Sequence, residues 1–147
     1  MDLKVIPDVV TGQAIRSLAP GASALEAARL MRDHDISSVV VVDEAGKLVG
    51  IVTERDMARR VVAEDRPGSA LRLQEIMTSD PVVVAPEASP FDALETMRKK
   101  RVRHVPVVEG GKVVGMVSMR DLRHAIASAG GNKRGTVLGR LRALFQL

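Results

Sequence analysis

The chain has 147 residues, of which 46% are hydrophobic and 27% charged, with no Cys, Trp or Tyr and two Phe. A chain of this length buries roughly 68–70% of its unfolded surface, and without Cys it cannot use a disulfide scaffold, a thiolate zinc site or thiol catalysis. The net charge of +4 comes from four cations after residue 130, and residues 1–130 are neutral overall, which argues against a basic nucleic-acid-binding domain.

The N-terminus lacks a basic region followed by an apolar run, and no apolar stretch reaches the roughly 18 residues of a membrane span. We therefore expect a soluble protein in the cytoplasm.

The sequence repeats itself. Residues 19–42 and 46–57 align with residues 85–108 and 111–122, and 17 of the 36 aligned positions are identical. A unit of about 60 residues is marginally stable alone, so two copies are expected to share one core around a pseudo-twofold axis.

The first copy, residues 5–66, has a short apolar segment at 13–18, before its first helix, that predicts a strand. Ser23 as N-cap, with Glu26 three residues later, predicts a capping box at the start of a helix. A run of four Val at 39–42 predicts a buried strand, and a second strand and helix follow from residue 48 and from near Thr53. The apolar positions assigned to the first helix are Leu25, Ala28 and Met31.

Residues 64–74 are predicted to form an exposed connection. The second copy, residues 67–127, repeats the order with a strand at 81–84, a helix capped by Ser89, two strands, and a helix beginning near Ser118. Each copy thus reads as strand–helix–strand–strand–helix, an α/β (α+β) unit. The apolar positions assigned to the helix capped by Ser89 are Phe91, Leu94 and Met97.

The last segment, residues 128–147, reads as a flexible linker followed by a basic amphipathic helix over 136–147. Such a helix can lie on an anionic membrane or a partner, or it can pack back onto the globular body, which we favour.

No catalytic machinery is visible. The chain has three His, of which His34 and His124 are expected to face solvent, and it lacks a Ser/His/Asp arrangement, a carboxylate pair in an evident cleft and a phosphate loop. The tripeptide at 33–35, Asp-His-Asp, offers metal ligands, but a charged helix end is the favoured interpretation. We therefore predict a protein that is not an enzyme and needs no cofactor.

A duplicated motif, Gly-x-x-[Ser/Thr]-x-x-Asp, occupies residues 50–56 and 115–121. One interpretation is ordinary helix capping, in which the hydroxyl and the carboxylate bond backbone N–H groups. The other is a nucleotide site, because a helix N-terminus attracts phosphate and a carboxylate one turn later can bind both hydroxyls of a ribose.

A basic cluster runs from Arg98 to His104. Cations are favoured at a helix C-terminus, which accounts for Lys99 and Lys100. Arg103 and His104 stand at the entrance of the buried strand, where solubility does not require them. The first copy has Ser37 and Ser38 there, so one predicted site is suited to several phosphates and the other is less charged.

Together, Ile76-Met77-Thr78, the Arg-His-Val-Pro-Val-Val strand and the duplicated motif resemble the cystathionine-β-synthase-type (CBS) domain. The likeness covers residues 5–127 as a tandem pair. It implies two β-α-β-β-α units packed through their sheets, assembly into a homodimer, and adenosine-containing ligands: AMP, ADP or ATP first, then S-adenosylmethionine, NAD or cyclic di-AMP.

The resemblance implies two clefts between the repeats. The first, and the stronger prediction, combines Thr53, Asp56, Thr78, Pro81, Val83, Arg103 and His104. The second combines Thr11, Ser37, Ser38, Ser118 and Asp121.

Two functions remain open at this point. One is a regulatory sensor that binds an adenine nucleotide and signals to an effector protein. The alternative is an interaction module that acts on a protein or a membrane through its basic C-terminal helix, with vestigial clefts. Nucleic acid is a weak third partner, because four cations make few phosphate contacts and the shortage of aromatic side chains disfavours base stacking.

Overall fold

The computed structural model describes residues 2–129, and the predicted linker and helix beyond residue 129 lie outside the described part. The chain forms two compact units. The first unit contains residues 14–82 and 110–113, and the second contains the described residues 2–13, 83–109 and 114–129. The first unit contains the predicted strand–helix–strand–strand–helix order, and the second unit has the same order with an isolated bridge in place of its first strand.

The first unit is built on a four-stranded sheet in the order β1-β2-β3-β4. Strand β1 pairs in parallel with β2, whereas β3 is antiparallel to both β2 and β4. Strand β2 is buried at four of its five positions, as expected for an uninterrupted β-branched run. These strands are β1 (Ser17–Leu18), β2 (Ser38–Val42), β3 (Leu48–Thr53) and β4 (Thr78–Ser79).

Three helical segments complete this unit: α1 (Ala24–His34), α2 (Glu54–Asp56), which continues as a π-helical segment at Met57–Val62, and α3 (Leu73–Ile76). The predicted capping box of α1 is present, with the Ser23 N–H donating to Glu26 Oε2 over 2.6 Å. The fully covered face of α1 is Ala24, Ala27 and Met31, whereas the predicted Leu25 and Ala28 are half-buried.

The predicted exposed connection over 64–74 is wrong at its C-terminal end. Buried and exposed residues alternate from Leu71 onward, because Leu71 and Leu73 are 3% and 0% exposed whereas Arg72 and Gln74 remain exposed. Helix α1 presents two Ala to the core, and the larger aliphatic side chains of Leu71, Leu73 and Ile76 fill the space beside them.

The second unit contains α4 (Pro90–Lys100), α5 (Met119–Ala129) and a hairpin of β5 (His104–Glu109) and β6 (Lys112–Ser118). Where a strand over 81–84 was predicted, Val84 forms only an isolated parallel bridge to Val107. Ser89 caps α4 with Pro90 at its first position, as predicted. The buried core includes Leu94, Met97, Val105, Leu122 and Ile126.

The N-terminal turn (Val5–Val9) groups with this second unit, although the sequence assigns it to the first copy. Its backbone is attached by hydrogen bonds from Val5 N–H to Ala88 O and from Ile6 N–H to Pro86 O, both 2.9 Å long. Val5 is fully buried.

Candidate functional site

The duplicated motif forms two helix N-termini with the same local geometry. In the first unit, Asp56 Oδ2 accepts the Thr53 N–H at 2.8 Å and the Thr53 hydroxyl at 3.2 Å, and the Asp56 N–H donates to Thr53 Oγ1 at 3.4 Å. In the second unit, the Ser118 N–H and the Asp121 N–H each form the corresponding bond at 3.0 Å. The capping interpretation of both motifs is confirmed.

Capping leaves part of each carboxylate available for a ligand. A carboxylate has two oxygens and about four lone-pair sites. Only Oδ2 takes part in the capping box of Asp56 and of Asp121, so Oδ1 keeps its capacity to accept further hydrogen bonds. A vicinal pair of hydroxyls, such as those of a ribose, is a chemically suitable donor set.

Arg60 is a residue of this region that sequence reasoning missed. Its Nη1 donates to Ile76 O at 2.7 Å and to Met77 O at 3.2 Å, and its Nε lies 3.8 Å from Asp56 Oδ1. The guanidinium therefore ties the Asp56 carboxylate to the backbone immediately before Thr78. The sequence signal was the spacing of four between Asp56 and Arg60, which places both side chains on one helix face.

The two carboxylates are not equivalent. The Asp56 side chain is 14% exposed, whereas Asp121 lies on the surface. The position that corresponds to Arg60 in the second repeat is Ala125, which has no charge to offer. We conclude that the first motif is held more firmly than the second.

The predicted serines lie beside the first motif. Ser38 is the Cα partner of Thr53 in the β2–β3 ladder, and Ser37 O accepts the Glu54 N–H at 3.1 Å. Ser38 is 8% exposed, which is unusual for a polar side chain in this protein.

The predicted basic pair lies beside the second motif. Arg103 O accepts the Met119 N–H at 2.8 Å, and His104 is the first residue of β5. Arg103 is exposed and His104 is half-buried. The structure thus brings Ser37 and Ser38 together with one motif and the basic pair together with the other within single units, and the predicted composition of the two clefts stays a prediction.

The remaining predicted residues also fall in both units. Thr78 is the partner of Ile51 in the β3–β4 ladder, and Pro81 follows it as a half-buried residue of the first unit. In the second unit, Val83 is 44% exposed, and Thr11 lines a cavity near the N-terminal segment.

The metal alternative at residues 33–35 gains no support. Asp33 Oδ1 accepts a hydrogen bond from Arg32 Nε at 2.8 Å, which lowers the pKa of the Asp33 carboxyl. Residues 2–129 contain no group of three His, Cys, Asp or Glu arranged to hold a metal ion. Within the same range no helix combines the length and the hydropathy that crossing a bilayer requires.

Comparison with known proteins gives a family match over most of the chain. The family model "CBS domain" matches residues 5–63 and again residues 73–128. An uncharacterised protein from Methanopyrus kandleri is 34% identical over 116 residues, which are 78% of this chain and 56% of that protein. The chain therefore spans little more than half the length of this relative.

Two solved structures have the same fold. That of a CBS-domain protein from Burkholderia ambifaria matches with a TM-score of 0.80 at 34% identity and covers 86% of this chain and 95% of its own. The CBS domain pair of protein MJ0100, in complex with 5′-methylthioadenosine and S-adenosyl-L-methionine, matches with a TM-score of 0.78 at 27% identity. That alignment covers 88% of this chain and 99% of the other.

Proposed function

The chain belongs to the CBS-domain family and carries two such domains, and we propose from this premise that it is a regulatory module that binds an adenosine-containing ligand. The observation that carries the proposal is the duplicated helix N-terminus, in which Asp56 and Asp121 each keep one carboxylate oxygen outside the capping box. The related domain pair of MJ0100 was solved with two adenosine-containing molecules. We propose AMP, ADP or ATP as the ligand, ahead of S-adenosylmethionine, NAD or cyclic di-AMP.

In this proposal the ribose hydroxyls donate to the carboxylate of the motif, a charge-assisted contact that is stronger than one between neutral groups. Arg103 and His104 supply positive charge for phosphates, and the serines at 37 and 38 provide neutral donors. Because the chain has only two Phe and no Trp or Tyr, we expect aliphatic side chains and backbone groups to hold the adenine. Signalling to an effector protein, assembly into a homodimer and the lack of catalysis stay predictions from the sequence.

The experiment compares three carboxylates that all belong to capping boxes. Asp56→Ala and Asp121→Ala remove the proposed ribose acceptors, and Glu26→Ala removes the equivalent acid of α1, which lies outside both motifs. Each variant should lose about 1 kcal/mol of stability. Only the two Asp variants should weaken AMP binding in calorimetry, by roughly 10-fold or more, since hydrogen bonds to a charged group contribute about 1.5–3 kcal/mol.

The wild-type protein provides two further measurements. With no Trp or Tyr it absorbs little near 280 nm, so a co-purified nucleotide would dominate the ultraviolet spectrum. A ligand at 100 times its Kd raises the free energy of unfolding by about 2.7 kcal/mol, which a thermal-shift assay detects. The proposal is wrong if AMP, ATP and S-adenosylmethionine all leave the heat signal and the melting temperature unchanged.

The alternative function through the basic C-terminal helix concerns residues beyond 129, outside the described part. Deleting residues 131–147 tests this alternative. If it holds, the shortened chain should lose binding to vesicles or to a partner but should still bind nucleotide.

A further inference from the structure

The outer edges of β3 and β6 are covered in different ways. In the first unit, the backbone of β4 pairs with β3, with Gly50 opposite Ser79 and Ile51 opposite Thr78. Met116 is the counterpart of Ile51 in the second repeat, and it is bonded by a side chain instead. The Met116 N–H donates to Gln13 Oε1 at 2.9 Å, and Gln13 Nε2 donates to Met116 O at 3.0 Å.

The carboxamide of Gln13 presents one acceptor next to one donor, and the Met116 backbone bonds both. Adenine carries the same pair on its edges, where a ring nitrogen acceptor lies next to the 6-amino donor. The N–H and C=O of Met116 therefore form a recognition edge that can bind either a carboxamide or an adenine.

A cavity of about 180 Å³ lies beside this contact, within the second unit. Its walls include the aliphatic side chains of Ile6, Val10 and Val114, and Thr11 and Gln13 also line it. It is larger than the roughly 30 Å³ that one water occupies and smaller than the roughly 300–1,000 Å³ typical of pockets for drug-sized ligands. The cavity thus suits a single ring system between aliphatic walls, with the rest of a nucleotide outside.

We propose that the Gln13 carboxamide occupies the adenine subsite of the second nucleotide site, and that adenine binds at Met116 by displacing it. This inference rests on the proposed function, and it explains how an aromatic-poor chain selects a base. Gln13 acts as an internal competitor, because only the fraction of molecules with the side chain displaced is competent to bind. In the first unit the corresponding edge is covered by the β4 backbone and not by a side chain.

The test uses the full chain carrying Asp56→Ala, so that binding at the first site is weakened and calorimetry reports mainly the second site. Adding Gln13→Ala should raise the affinity for adenosine at least fivefold, because the competitor is removed. It should not raise the affinity for purine riboside, which lacks the 6-amino donor, to the same extent. Gln74→Ala, at an exposed Gln of α3, is the matched control and should change neither affinity.

A structural role for Gln13 predicts the opposite sign, with lower melting temperature and equal or weaker adenosine binding, and that result overturns the inference. If Gln13→Ala fails to fold, Gln13→Met keeps the side-chain length without the amide and must show the same gain. The two proposals fail separately. If wild type binds adenosine through Asp56 while no Gln13 variant gains binding, this inference alone is wrong, whereas no binding to any variant or to wild type defeats the proposed function.

Discussion

At the scale of single residues, Arg60 distinguishes the two motifs. Two of its hydrogen bonds go to carbonyls of residues 76 and 77, and the ion pair with Asp56 is long, at 3.8 Å. The Arg60 side chain is 49% exposed, so the ion pair itself contributes little, and the carbonyl bonds do most of the positioning. Arg60 is thus a positioning residue for both Asp56 and the segment that leads to Thr78.

We expect Arg60→Met to lower AMP affinity at the Asp56 site about 3- to 10-fold, because the carboxylate and Thr78 lose their common anchor. Arg60→Lys should recover part of this loss, since an ammonium keeps the charge but not the fork of donors. Arg59→Met, at the adjacent exposed position, is the control. Calorimetry that shows equal affinities for the Arg60 and Arg59 variants would contradict this role.

The sequence predicted the capping geometry of both motifs because the spacing of a hydroxyl and a carboxylate within one turn is a local property. The bond from Arg60 to Ile76 O was not predictable in the same way, since 16 residues separate the partners and only the folded chain brings them together. Ser118 and Thr53 illustrate the same limit: their motifs read alike, but the surroundings of Asp121 and Asp56 differ.

At the scale of secondary-structure elements, two equivalent glycines meet different neighbours. A Cβ on Gly50 would collide with Met77 Sδ and would lie 3.1 Å from Thr78 O, so it would disturb the pairing of β3 with β4. A Cβ on Gly115 would approach Gln13 Oε1 at 3.3 Å and two aliphatic carbons at 3.4 Å, which slight shifts can relieve.

We therefore expect Gly50→Ala to cost about 1–3 kcal/mol of stability, the range for overpacking a well-packed site, and Gly115→Ala to cost less. Urea unfolding measures both. Gly46→Ala is unsuitable as a control because its φ of +80° requires glycine. Equal losses for the two variants would show that the different coverage of β3 and β6 has no energetic consequence.

Element order was predictable because each local signal agrees with the fold. Ser23 and Ser89 cap helices, and the Val-rich runs form the buried strands β2 and β5. The buried face of α1 differs from the predicted apolar face, because the core covers Ala24 and Ala27 rather than Leu25 and Ala28. Periodicity predicts that a helix has an apolar face, and the packing of neighbours such as Leu73 selects which residues are covered.

At the scale of the whole molecule, the two compact units do not contain the same residues as the two sequence repeats. Residues 5–13 belong to the first copy in sequence but group with the second unit, and the Leu-rich stretch from 71 groups with the first. Sequence self-similarity shows which segments are equivalent. It contains no signal for which copy a leading segment packs against, because either choice buries the same apolar side chains.

The location of Val5 gives a direct test of this arrangement. Val5→Ala should cost about 1.5–3 kcal/mol, because a fully buried side chain loses two methyl groups and leaves a cavity. Amide hydrogen exchange should accelerate in α4, β5 and α5, which belong to the unit of Val5, more than in α1 and β2.

Val39→Ala is the matched control, since Val39 is equally buried but lies in the first unit. It should accelerate exchange chiefly in α1, β2 and β3. If Val5→Ala instead weakens protection in α1 and β2, the N-terminal segment packs with the rest of the copy to which it belongs in sequence. Gln13 would then lie away from Met116, so the same exchange experiment also bears on the adenine subsite proposed for the second unit.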